Sequence, residues 1–280
     1  MVTMIFDQLN GIPLFHFEQL SRNGHFDRLS ASRLQHAIFS RQGGTSPAPF
    51  NSLNLSVSVP DDNKNVYANR RRAYGIYERD TENVVHAHLV HGNDVARVTK
   101  ADNGTWIPQT DGIITNDPGC ALTMNYADCT PIFLYDPAHH AIGLGHAGWQ
   151  GTVKDLPGAM VRTMVQEFSS EPSHLIAGIG PCIGPCCYEV GEQVITAVHD
   201  TFSDADDLFM EPAGGKRPFS SGNGPHFDMP EANRRNLKNA GVVKIELSGL
   251  CTACRTDLFF SHRAEQGKTG RFGTIFILGE

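Results

Sequence analysis

The apolar residues of this chain come in short runs, and that limits the fold before any motif is considered. Gln35–Phe39, Val84–Val90, Val95–Thr99, Asp111–Thr115, Ala121–Tyr126, Pro131–Tyr135, Ala141–His146, Leu175–Gly180, Val242–Leu247, Leu258–Ser261 and Gly273–Leu278 have strand length and clear boundaries. Helical periodicity is rarer. Val153–Phe168 sets Leu156, Met160, Met164 and Phe168 on one stripe, read as core packing. Asp228 with Glu231, and Pro230 just inside, forms a capping box for a helix that stops at Gly241. Asp62–Tyr77 and Glu192–Phe202 complete the helices. Strands in clusters with interspersed helices predict an α+β fold with mixed sheets, not regular βαβ alternation.

At 280 residues the chain fits one large core, and no shift of composition marks a linker, so a single domain over 1–280 is expected. Residues 41–50 and 211–226 are rich in Gly, Pro and Ser and read as loops. A net charge of −7 excludes a nucleic-acid binder driven by whole-chain charge and leaves room only for a local anion pocket. No apolar run is long enough to span a membrane. The seven cysteines are an odd set, and MVTMIFDQLN lacks the basic start and cleavage pattern of a signal peptide. A reduced, cytoplasmic protein with free or metal-bound thiols is expected.

Three segments put a metal-capable side chain beside Gly or Asp: LVHGNDV with His91, NYADCTP with Cys129, and GLGHAGWQGT with His146. Their spacing is too long for a zinc finger, and each residue has an ordinary reading as a hydrogen-bonded histidine or a small buried thiol. Two imidazoles and one thiolate nevertheless match a catalytic zinc site, with the fourth position open. Period-two counting puts His86 and His88 on the opposite strand face from His91, so they are not expected as ligands. Cys251-x-x-Cys254 has ligand spacing and, with Cys182, Cys186 and Cys187, invites a second zinc site. Buried free thiols are the simpler reading of that set. The segment IGPCIGPCCYEVG carries neither a P-loop nor a dinucleotide fingerprint.

Taken together, SRQGGTSPAPFNSLNLSVSVPDD (40–62), Asn69–Arg70, VHGNDV (90–95), TDGIIT (110–115), YADCTPIFLYDP (126–137), GHAGWQGT (145–152), IGPCIGPCCYEVG (179–191), CT (251–252), FFSHR (259–263) and TGR (269–271) resemble the multicopper polyphenol oxidase (laccase) family, also called YfiH-type purine nucleoside phosphorylases. The resemblance implies that His91, Cys129 and His146 are zinc ligands, with copper suggested by the family name. It also implies a layered sandwich of mixed β-sheets with outer helices, a fold shared with cysteine-hydrolase-like proteins. Leu89 stands where the family usually has Gln, Phe50 where Tyr is usual, and His262 where Tyr commonly sits. Those departures bear on pocket shape and substrate preference.

The implied activity is phosphorolysis of adenosine, inosine, guanosine and S-methyl-5′-thioadenosine to base and pentose 1-phosphate, with deamination of adenosine to inosine. The partners implied are purine nucleosides and phosphate. Asp128, beside Cys129, is a candidate proton shuttle, although on a strand it would point away from the thiol. Arg41, followed by Gly43 and Gly44, and Arg263 are candidates to hold phosphate. Asn54 is a candidate for a sugar hydroxyl or base edge. Two other chemistries stay open: Cys129 as a nucleophile activated by His146, in a hydrolase or amidase of peptidoglycan precursors, and copper-dependent phenol oxidation. The latter needs several coppers, and His86-x-His88 is the single His-x-His pair.

Overall fold

A computed structural model describes residues 4–23, 34–210 and 224–279. The first sheet begins with a hairpin of β1 (Ile5–Leu9) and β2 (Ile12–His16), closed by Asn10 and Gly11 at positive φ. It continues antiparallel through β3 (Gln35–Phe39) to β16 (Phe272–Ile277), whose other edge takes β8 (Ala121–Leu122) and β9 (Asn125–Tyr126). The second sheet runs β15 (Lys244–Leu247), β12 (Ile176–Ile179), β10 (Thr130–Asp136), β11 (Ala141–Ala147), β7 (Gly112–Thr115) and β5 (Val95–Arg97). Its two outer pairs are parallel and its centre antiparallel, which makes it the mixed sheet expected. Two short pairs, β4 (His86–Ala87) with β6 (Trp106–Ile107) and β13 (Phe209–Met210) with β14 (His226–Phe227), lie outside the sheets.

Phe15, Ile38 and Phe276 of the first sheet, together with Phe17, form one core with Phe133, Tyr135, Ile142 and Leu144 of the second. Phe133 meets Phe276 at 5.1 Å and Phe17 at 5.3 Å. Aromatic residues carry much of this burial because each ring removes a large apolar area from water. The outer face of the second sheet is covered by α4 (Leu156–Phe168) and α6 (Met229–Asn239) through Leu156, Met160, Met164, Phe168 and Leu237. The outer face of the first takes α2 (Asn63–Tyr74) through Ala73 and Tyr74. The layers therefore read helix, sheet, sheet, helix. The shorter helices are α1 (Glu18–Asn23), α3 (Trp149–Val153) and α5 (Glu192–Thr201).

Several expected elements have different bounds. Val84–Val90 forms a strand only at His86–Ala87, with Val85 in an isolated parallel bridge to Leu122, and Ala121–Tyr126 is split into β8 and β9. Leu258–Ser261 is a turn: the N–H groups of Leu258 and Phe259 both donate to Arg255 O, and Phe259 and Phe260 are buried without ladder partners. Val153–Phe168 is interrupted at Asp155, whose φ of 59° ends α3 and whose carboxylate caps α4 on the N–H of Gly158. Asp62 caps α2, and Asp228 caps α6 by accepting the N–H of Glu231. The other half of the expected capping box is not made, because Asp228 N–H donates to Leu208 O and the Glu231 carboxylate pairs with Arg234 and Arg235. Residues 41–50 are irregular, as expected; of 211–226, residues 211–223 fall outside the described residues, and His226 belongs to β14.

Candidate metal centre

β11 ends the central antiparallel pair, and its penultimate residue, His146, is almost fully buried. β7 lies beside it, and Asp111, just before β7, is buried with its carboxylate toward His146. His146 Nδ1 is 3.1 Å from Asp111 Oδ1. The ring therefore donates from Nδ1 and leaves Nε2 available as a ligand atom, the arrangement by which a carboxylate fixes a metal-binding imidazole. Tyr126 packs on the same ring at 5.4 Å and donates its hydroxyl to Gly145 O.

The same carboxylate builds the turn that carries His91. Asp111 Oδ2 accepts the N–H of Val90 and of Gly92, at 3.0 and 2.8 Å, and Oδ1 accepts that of His91 at 3.1 Å. His91 sits in the left-handed region at φ 57°, and these three donors hold it there. Cys129 arrives from the bend between β9 and β10. The ligand atoms of His91, Cys129 and His146 all lie within 4.8 Å of one another, so the structure brings the three expected ligands together. His86 and His88 are not in the group; they stack on Trp106 at 4.4 and 5.0 Å.

Burial alone would raise the Cys129 thiol, but His146 and His91 outweigh it and bring its pKa down to about 6. Burial would lower His146, yet the Cys129 sulfur and the Asp111 carboxylate raise it to about 9. Asp111 is held below the ordinary carboxylate range despite its burial by hydrogen bonds from His146 and Gly92. Gly148 completes the setting: a Cβ there would stand 3.0 Å from Cys129 Sγ and 3.1 Å from His91 Nδ1. The chain thus leaves a cradle at the donors that any other residue would fill. A thiolate and two imidazoles around that space fit a tetrahedral cation with one position open.

The trio lies in the wall of a cavity of about 880 Å³. Asp128 and Arg263 also line it. Asp128 is on a bend, not a strand, at φ 84°, with Oδ1 accepting the Thr252 hydroxyl at 2.6 Å and Oδ2 the Arg263 N–H at 2.7 Å. Burial pushes its carboxyl upward against those hydrogen bonds. Arg263 lies over the Tyr188 ring and gives Nη1 to Glu189 O. Arg41 is not in this cavity: it pairs with Glu265, donates to Asn51 O and Thr256 O, and lies over Phe260. Asn54 is also behind the wall, where its Oδ1 accepts the N–H of Ser56 and of Arg271.

Asp111 and Arg271 are the site residues that motif reading left without a role. Arg271, from the TGR segment, lines the cavity with Arg263 and bonds the carbonyls of Thr269 and Gly270 through Nη1. Of the three departures from the family pattern, Leu89 and His262 line the cavity and Phe50 does not.

Fold and site define a layered α+β protein with a two-histidine, one-cysteine candidate metal centre at the end of its second sheet. The chain belongs to the family described as multi-copper polyphenol oxidoreductase laccase, which matches residues 35–279. It is 37% identical over 249 residues to purine nucleoside phosphorylase YlmD of Bacillus subtilis, covering 86% of this chain and 87% of that one. Among solved structures it is similar to YlmD from Geobacillus stearothermophilus, with a TM-score of 0.83, 33% identity and coverage of 99% and 100% of the two chains. The hypothetical protein YfiH of Bacillus licheniformis matches with a TM-score of 0.84 and 31% identity, over 96% of this chain and all of that one.

Proposed function

We propose that this protein is a zinc-dependent purine nucleoside phosphorylase that also deaminates adenosine, working in the cytoplasm. The convergence of His91, Cys129 and His146 on one wall of a large cavity carries the reading. The names of the relatives support the phosphorylase assignment. A cavity of this size suits a nucleoside with phosphate. Tyr67 and Tyr188 line it with aromatic rings against which a planar purine can pack. Arg263 and Arg271 each keep donors beyond those spent on carbonyls, and together they are the cations assigned to phosphate.

In phosphorolysis the arginines hold phosphate against C1′ of the sugar; the C1′–N bond to the purine breaks as a C1′–O bond to phosphate forms. A zinc ion on the trio supplies Lewis acidity and lowers the pKa of water. For deamination, Asp128 is assigned the proton transfer between water and the departing ammonia. Its raised pKa is the direction a proton-carrying carboxyl needs near neutral pH.

One observation favours a second reading. Cys129, His146 and Asp111 also have the order of a nucleophile, base and orienting carboxylate, which suits a cysteine hydrolase. His91 favours the metal, because a second imidazole beside the sulfur has no part in such a triad. The test is mass spectrometry of products after incubating zinc-loaded protein with adenosine and phosphate. Adenine with pentose 1-phosphate, and inosine, are expected, with all three lost in Cys129→Ala and after chelation. Absence of all three from the zinc-loaded protein overturns the reading. Metal-free activity that a thiol alkylator blocks points instead to the hydrolase.

A further inference from the structure

The reaction leaves six cysteines unused, and the fold gathers four of them. Cys186 and Cys187 lie in the turn after β12, and Cys251 and Cys254 in the turn after β15. Their four Sγ atoms all lie within 4.8 Å of one another, and none is joined in a disulfide. Cys254 Sγ is 3.4 Å from that of Cys186 and 3.3 Å from that of Cys187. Sulfurs at the corners of a tetrahedron around one zinc ion stand about 3.8 Å apart, given a Zn–S distance of about 2.3 Å. We propose that Cys186, Cys187, Cys251 and Cys254 bind a Zn²⁺ ion as a closed tetrathiolate. With all four positions filled by protein sulfur, this ion is structural, and it is separate from the open centre at Cys129.

The backbone is already arranged for it. Cys182 and Cys251 form a parallel bridge, with Cys182 N donating to Leu250 O and Thr252 N to Cys182 O, which clamps the two turns side by side. The N–H groups of Cys187 and Tyr188 both donate to Gly184 O at 3.0 Å, and Arg255 N donates to Cys251 O at 3.0 Å. Those bonds curl each turn around its cysteine pair. Gly184 N–H donates to Cys251 Sγ at 3.3 Å, the kind of backbone donor that supports a thiolate ligand. Cys254 is exposed while Cys187 is buried, so the group has both an entry path and a dry side. Cys182, which the sequence places in the same set, stays out of it, buried behind the bridge.

The clip also bears on the cavity. Ile183 and Tyr188, from the first turn, line it, while Ile183 N and the Thr252 hydroxyl both bond Asp128. A metal joining the turns fixes that wall.

Zinc content of the full chain, measured by elemental analysis in reducing buffer after reloading with Zn²⁺, tests the proposal. Two equivalents are expected for the native chain, one for Cys129→Ala, one for the Cys187→Ser, Cys254→Ser double variant, and none for the triple variant. Should the double variant fail to fold, Cys129→Ala loaded with Co²⁺ answers alone: intense thiolate-to-cobalt charge-transfer bands and tetrahedral d–d bands are expected. A Cys129→Ala protein that retains no zinc and gives no such spectrum overturns the proposal, as does a native disulfide among the four cysteines.

Discussion

Asp111 shows how much one buried carboxylate can organise. Its two oxygens accept three backbone N–H groups from the His91 turn and face His146 Nδ1, so both histidines of the centre depend on it. Asp111→Asn replaces one acceptor oxygen with a donor and removes the charge behind the imidazole. Zinc affinity, measured by competition with a chromophoric chelator, is expected to fall by about 10–100-fold, the usual cost of losing such a partner. Unchanged affinity in a folded variant would show that His146 is oriented without it. The ligand types were readable in the sequence because imidazole and thiolate advertise their chemistry. Asp111 was not, since an Asp before a buried strand has many ordinary uses. Its role arises because β7 lies between β5 and β11, which brings together residues 20 and 35 positions apart. Arg41 is the converse case: an arginine just before a glycine pair looks like an anion ligand, but its charge is spent on Glu265 and on carbonyls.

Among the elements, α4 and β11 are coupled by a contact that explains the GLGHAG pattern. Met160 lies across Gly112, Gly143 and Gly145, and a Cβ on Gly145 would stand 2.4 Å from Met160 Sδ. The helix seats closely on the strand that carries His146 because Gly145 has no side chain, and a Cβ there would force Met160 to shift. Gly145→Ala is expected to lower stability in urea by about 1–3 kcal/mol through overpacking. Met160→Ala alone should cost about 2–5 kcal/mol as a cavity. The double variant should cost less than the sum, because the shortened side chain relieves the clash; strict additivity would mean that α4 does not press on Gly145. The Met160 stripe was legible from its helical period. The glycines opposite it were not, since close approach is a property of two elements. At the N-terminus the signal is local: Asn10-Gly11 between apolar runs is a strong hairpin pattern, and it closes β1 and β2.

Across the whole molecule, two facing sheets and outer helices bury more than apolar side chains, and the titratable groups sealed inside set its response to pH. His86 is buried, stacks on Trp106, and leaves Nε2 without a hydrogen-bond partner. Burial first, then the charges of Arg70 and His88, lower its pKa to about 3. His36, in the core between the sheets, is shifted the same way by burial and by His16. The sign follows from proton counting. Above about pH 6.5 these histidines are neutral in both states and add no pH dependence. Below it the unfolded chain takes up protons that the folded chain refuses, so stability falls as the solution is acidified, by up to about 1.4 kcal/mol per pH unit for each. Other groups overlap this window with the opposite sign, Asp128 and Asp228 being raised by burial. A difference between two proteins removes them. His86→Phe keeps a ring against Trp106 but cannot titrate, so urea midpoints measured from pH 7 to pH 4 should fall less steeply in the variant than in the native chain. For His86 to be neutral in the fold, the two curves must diverge on acidification, with the variant gaining up to about 1.4 kcal/mol per unit below pH 6. Parallel curves would mean that the folded protein protonates His86 as readily as the unfolded chain does, and that the β4–β6 layer opens to water.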